Sequence, residues 1–130
     1  MPPTRSLTDH GRVFTADRHL ATLSTIGRDD ALHVVAVGFT FVDGVVRIIT
    51  NDRSQKVRNV ERDARATVAQ VAGPQWLSIA GEASVARDPD EIALAVALYA
   101  ERYRQPKPNP NRVVIRILPS TLLGSADLLA

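Results

Sequence analysis

No cysteine occurs in the 130 residues, which excludes a disulfide framework and any thiolate metal site. Histidine is scarce as well: His10, His19 and His33 are scattered, and no zinc site is expected. No apolar run approaches the ~20 residues that a membrane-spanning helix needs. The opening MPPTRSLTDH lacks the apolar segment of a secretory signal. Nor does one sign of charge dominate. The 16 Lys and Arg residues against 14 Asp and Glu leave a net charge of +2. That mildly favours anionic ligands and falls short of the concentrated basic face of a nucleic-acid binder. No Ser-His-Asp or paired-carboxylate arrangement stands out either, so no residue is assigned as a catalytic nucleophile or acid.

What remains is ordinary globular chemistry. With 45% hydrophobic and 23% charged residues, the chain is expected to form one soluble domain, cytoplasmic, with a modest core. Leu7 to about Asp17 predicts a short amphipathic helix and His19–Ile26 a strand. After the turn Gly27-Arg28-Asp29-Asp30, Leu32–Val42 (LHVVAVGFTFV) reads as one long strand interrupted by Gly38. Asp43-Gly44 is a strong hairpin signal, with Val45–Thr50 returning. Gln55–Asp63 predicts a helix and Ala66–Val71 a strand. Gln75–Ala86 alternates like a half-exposed strand with Gly81 at a bend or bulge.

Asp88-Pro89-Asp90-Glu91 opens a third helix, with acids in its favourable first turn. Tyr99 and Tyr103 lie four apart near its end and are expected to pack it onto the barrel. A proline-rich loop from Gln105 to Pro110 leads into a last strand, Val113–Leu118. Six strands at irregular spacing, with helices between some of them, predict a mainly β fold, a small β-barrel with flanking helices. The expected layout is an N-terminal helical segment over 1–18, a barrel over 19–118 and a C-terminal segment over 119–130.

The most informative stretch is Val45–Asn59, VVRIITNDRSQKVRN. An apolar strand gives way to the polar turn Asn51-Asp52-Arg53-Ser54, and a helix begins at Gln55-Lys56. Free N–H groups at a helix start favour an anion. Ser54 can cap that helix or donate its hydroxyl to a phosphate. A lysine in the first turn opposes the helix dipole, a cost that an anion bound there would offset. The bland alternative is a capped surface helix with a solvated lysine.

The order of strand, Asp-Gly hairpin, strand, Ser-x-Lys-x-x-Asn helix, strand, Gly-x-x-Trp strand and helix resembles the pyridoxamine-phosphate-oxidase-like split barrels. HVVAVGFTF, SQKVRN, WLSIAG, YAERYRQPKPNPNRVVI and LLGSADLL look like the branch that uses the deazaflavin coenzyme F420, and among its members the biliverdin reductases. The resemblance runs from His19 onward and weakens in the N-terminal helix. It implies a six-stranded split barrel and a homodimer with each cofactor between subunits. The cofactor phosphate would lie at Thr50, Asn51, Ser54, Gln55, Lys56 and Asn59. Main-chain groups of His33, Val34, Val35, Ala36 and Val37 would meet the polar edge of the ring, and Trp76 would face the cofactor from one protomer or fill the core.

The implied reaction is hydride transfer from reduced F420 to biliverdin or a similar conjugated tetrapyrrole, with Arg104, Lys107 and Arg112 as partners for its propionates. Arg53 and Arg58 flank the phosphate turn and would suit the acidic oligoglutamate tail of F420. Two other readings stay open: an FMN-dependent oxidase of the same fold, and a non-catalytic binder of F420, a flavin or haem.

Overall fold

Between the first strand, β1 (Ala21–Ile26), and the Asp43-Gly44 turn, the long apolar run breaks in two. The computed structural model describes residues 2–130, so Met1 of the expected N-terminal segment lies outside it. The run forms β2 (Leu32–Val37) and β3 (Thr40–Val42), separated at Gly38-Phe39. The cause is tertiary. A Cβ on Gly38 would stand 3.0 Å from the Tyr99 ring and 3.1 Å from the Tyr103 ring. The Phe39 N–H donates to the Tyr103 hydroxyl at 3.2 Å, so the chain bends around this tyrosine pair instead of continuing straight.

The remaining strands are β4 (Val45–Asn51), β5 (Arg65–Ala72), β6 (Gln75–Ala86) and β7 (Arg112–Gly124). All pair antiparallel in the order β2-β1-β5-β6-β7-β4-β3. The two halves of the broken run therefore end on opposite edges of one curled sheet. This gives seven strands where six were expected, in a mainly β split barrel that leaves β2 with a single partner strand. Inward side chains Leu23, Ile48, Val68, Ile79, Ile115 and Ile117 are at most 1% exposed and form the core.

β7 runs past Leu118, where the sequence pattern ends. The β6–β7 register shifts between Ala80 and Gly81, and Gly81 faces Pro119. A Cβ on Gly81 would collide with the Leu118 carbonyl, and Pro119 lacks the N–H that a regular ladder would use. The bulge accommodates both, and the strand resumes to Gly124.

Three helices flank the sheet: α1 (Asp9–Ala16), α2 (Gln55–Arg62) and α3 (Pro89–Arg102). Thr8 caps α1 by accepting the Gly11 N–H, which starts that helix two residues after Leu7. Asp88 caps α3 by accepting the Glu91 N–H at 3.1 Å. The Glu91 carboxylate then joins Arg47 on β4 at 2.6 Å and Arg116 on β7 at 3.1 Å, bridging two arginines that pair across the strands. At the other end of α3, the buried Arg102 guanidinium donates to the carbonyls of Asp17 and Phe39 and to the Gln70 side chain. α3 is fixed at both ends, and so is the Gly38 bend. Among the described residues no helix is long and apolar enough to cross a membrane.

Candidate functional site

β2 and β4 share no ladder, yet the ends of both line one cleft of about 330 Å³. Ala36, Val37 and Gly38 form one wall; Ile49, Thr50 and Asn51 form the other. Lys56 enters from the first turn of α2, Tyr99 from α3, and Pro106, Asn109 and Arg112 from the proline-rich loop and the start of β7. The cleft is thus the seam where the sheet fails to close. Its β2 wall is a strand edge whose main-chain groups have no partner strand.

The loop over the cleft is held by its own polar groups. The Asn111 N–H donates to the Asn109 side-chain oxygen at 2.9 Å, and the Arg112 N–H to the Asn109 carbonyl at 3.2 Å. The Arg112 guanidinium donates to the Lys107 carbonyl at 2.7 Å, and the Asp52 N–H to the Asn111 carbonyl at 2.9 Å. These bonds place the loop against the Asn51-Asp52 turn.

The electrostatics of the cleft are one-sided. Lys56 is half-buried, and burial lowers its pKa from the ordinary lysine value. It forms no ion pair among the described residues. Asp52, the acid closest in sequence, is engaged elsewhere. Arg87 binds it at 2.6 Å and also meets Glu61 at 3.3 Å, and the hydrogen bond from Arg87 holds the Asp52 carboxyl below its usual range. Ser54 occupies the N-cap position of α2 without a side-chain cap bond, and its Oγ lies 3.4 Å from the Thr50 hydroxyl. The first N–H groups of α2 are therefore left uncapped beside a lysine with no acid.

Of the residues singled out in the sequence, the cleft gathers Ala36, Val37, Thr50, Asn51, Lys56 and Arg112, with Ser54 against Thr50. Others sit elsewhere. Gln55 donates to Asn59 at 2.8 Å, and the fully buried Asn59 donates to Thr25 on β1 at 3.1 Å. Asn59 thereby ties α2 to the barrel wall, and its side chain is spent on that. His33 and Val34 lie further back on β2. Val34 is exposed, Val35 packs against the core, and the buried His33 Nδ1 has no hydrogen-bond partner.

Trp76 is 43% exposed, paired across β5 with the exposed Val71, so it does not fill the core. Arg104 lines a neighbouring groove, and the Lys107 side chain is exposed outside the cleft lining. Sequence reasoning missed Gly38, Ile49, Tyr99, Pro106 and Asn109. Tyr99 carried a signal in its spacing from Tyr103, but that spacing equally fits packing alone. Among the described residues no group of three or more His, Asp or Glu side chains comes together as a metal site.

A curled antiparallel sheet open along a cationic seam defines a split barrel with a lysine- and arginine-lined cleft. Residues 7–125 match the family model described as pyridoxamine 5'-phosphate oxidase, and the chain belongs to that family. The chain is 48% identical over 128 residues to the F420H(2)-dependent biliverdin reductase of Mycobacterium tuberculosis (strain CDC 1551 / Oshkosh), covering 97% of this chain and 93% of that protein. Among solved structures, the conserved hypothetical protein Rv2991 from M. tuberculosis superposes with a TM-score of 0.80 at 23% identity, over 95% of this chain and 88% of that one. A structure described as an F420 reductase gives a TM-score of 0.72 at 21% identity, over 86% of this chain and 94% of that one. At these identities the two structures speak for the fold.

Proposed function

We propose that this chain is a coenzyme F420-dependent oxidoreductase that delivers a hydride to biliverdin or a similar conjugated tetrapyrrole. One observation carries the reading: Lys56, a half-buried ammonium with no acid partner, faces a cleft at uncapped helix N–H groups. Such a place favours a phosphate ester. The reductase sharing 48% identity points to the phosphate-bearing group as F420.

The residues fit that group. Lys56 neutralises a phosphate, and Thr50, Ser54 and Asn51 offer hydroxyl and amide partners beside it. The free edge of β2, from His33 to Val37, offers main-chain donors and acceptors to the polar side of a flat ring. Small side chains such as Ala36 keep that edge approachable. When bound, reduced F420 supplies the hydride, so the protein's part is orientation and exclusion of water rather than nucleophilic attack. Arg112 at the cleft, with Arg104 and Lys107 beside it, suits the carboxylates of a tetrapyrrole.

The working form is proposed to be a homodimer. The outer face of β2-β1-β5-β6-β7 carries Val34, Val71, Trp76 and Leu123, from 43% to 68% exposed, interleaved with Thr22 and Ser78, with the Arg65–Glu82 pair at its margin. A face of this composition is disfavoured in water and suits burial against a second copy.

Mixing the protein with reduced F420 and biliverdin and following the bile-pigment absorbance tests the function. Catalytic turnover supports it. Tight F420 binding without turnover on any conjugated tetrapyrrole would reassign the protein as a carrier. Light scattering in solution tests the dimer, and a monomer at micromolar concentration would remove it.

A further inference from the structure

Beside the cleft, on the far side of Tyr99, lies a second groove of about 450 Å³ that no sequence motif announces. Its lining is Arg18, Leu20, Tyr99, Tyr103 and Arg104. The two ring centroids stand 4.8 Å apart with planes tilted by 32°. Tyr103 is immobilised, since its hydroxyl donates to the His19 carbonyl at 2.6 Å and accepts the Phe39 N–H. Leu20 is 67% exposed and adds an aliphatic side chain to the groove beside the two rings.

The rim is cationic. Neither Arg18 nor Arg104 takes part in an ion pair among the described residues; the paired arginines are 12, 47, 65, 87 and 116. Asp17, next to Arg18, is not within ion-pair distance of it. Glu101, one turn back from Arg104, lines a different groove on the opposite flank of α3. An apolar and aromatic floor between two free guanidinium groups suits a flat conjugated body carrying carboxylates, because planar guanidinium recognises carboxylate in pairs of bonds and stacks well beside rings.

The geometry points to this groove as a carboxylate-recognition subsite continuous with the cofactor cleft through Tyr99, with Arg18 as a residue of the binding machinery alongside Arg104. The inference rests on the reading of the cleft as an F420 site. The shared chemistry is a polycarboxylate, which has two sources here: the propionates of the tetrapyrrole and the acidic tail of the coenzyme. Leu20 and the ring pair make the tetrapyrrole the better match, since an oligoglutamate tail has no apolar body to cover them.

Equilibrium binding separates the possibilities. Arg18→Ala and Arg104→Ala are each titrated with biliverdin, biliverdin dimethyl ester, F420 and the same deazaflavin phosphate lacking its glutamates. The expected result is a loss of about three- to tenfold in biliverdin affinity for each variant, no loss for the ester, and unchanged affinity for both cofactor forms. A loss confined to tailed F420 would keep the carboxylate subsite and assign it to the coenzyme. Wild-type affinity for all four ligands in both variants would overturn the subsite and leave the cofactor cleft standing. Failure of the wild-type protein to bind either cofactor form would instead overturn the F420 reading. Circular dichroism of each variant, and Arg18→Lys as a charge-keeping control, separate lost recognition from lost structure.

Discussion

Arg102 and Lys56 both lie partly or wholly out of bulk water, and they are treated in opposite ways. Arg102 is 8% exposed and each nitrogen of its guanidinium donates a hydrogen bond: to the carbonyls of Asp17 and Phe39 and to the side chain of the buried Gln70. Phe39 and Tyr103 also lie within cation–π range, with their ring centroids 4.6 and 5.1 Å away. Lys56 is half-buried and uses nothing. The first arrangement is a clamp, because its partners are the Asp17 carbonyl just past α1, the Phe39 carbonyl of the Gly38 bend and the Gln70 side chain on β5. The second is a vacancy in the hydrogen-bonding sense, and burial of an ammonium without partners is a stability cost that folding alone does not explain. The contrast separates a cation kept for the fold from one that we propose is kept for a ligand.

That contrast has measurable consequences. Arg102→Leu strands three acceptors around a buried hole and is expected to destabilise the protein by about 3–5 kcal/mol in urea unfolding. A loss under 1 kcal/mol would show that the clamp is dispensable. Lys56→Ala is expected to weaken F420 binding by about 1.5–3 kcal/mol while moving stability by no more than about 0.5 kcal/mol. Equal damage to stability and affinity would put Lys56 in the same class as Arg102. Between them lies Gly38→Ala, whose methyl would press on Tyr99 and Tyr103 at the clamp's end of the cleft. A cost of about 1–3 kcal/mol in stability is expected, together with weaker cofactor binding. An unperturbed protein would mean that the tyrosine pair yields easily and does not set the bend.

The smallest effect concerns pH. Burial lowers the Lys56 pKa in the folded, ligand-free protein, so the unfolded chain binds more protons at alkaline pH. The stability penalty is present while Lys56 is charged and is relieved as pH rises through the folded pKa towards the ordinary 10.5. Relative to Lys56→Met, the wild-type protein should therefore gain stability on approaching that range, and lose phosphate affinity over the same interval. Parallel pH profiles for the two proteins would remove Lys56 as the source.

How much of this could be read in advance follows from the range of each interaction. The Asp43-Gly44 hairpin was legible because both residues take positive φ, 53° and 74°, a property of local chain chemistry. The Asn51–Lys56 turn was legible because a polar run follows an apolar strand and a lysine in a helix's first turn opposes its dipole. The Gly81 bulge was signalled by a glycine inside an alternating strand. The break at Gly38 was not, because it is imposed by Tyr99 and Tyr103 from a helix some sixty residues on. Asn59 misled for a similar reason. Its place one turn after Lys56 suggested a shared face, whereas Thr25 on β1 claims its amide. Arg104 and Arg112 were both noticed as loop charges, but only the packing of α3 showed that Tyr99 stands between their two sites.

The central claim is that Lys56 is held without a protein partner so that a cofactor phosphate can take that place. A fluorescence titration of wild-type protein and Lys56→Ala with F420 and, separately, with FMN tests it most directly. The expected result is micromolar F420 binding by the wild-type protein, much weaker FMN binding, and about a tenfold or greater loss of F420 affinity in the variant. Preference for FMN, or an F420 affinity that Lys56→Ala leaves unchanged, would contradict it.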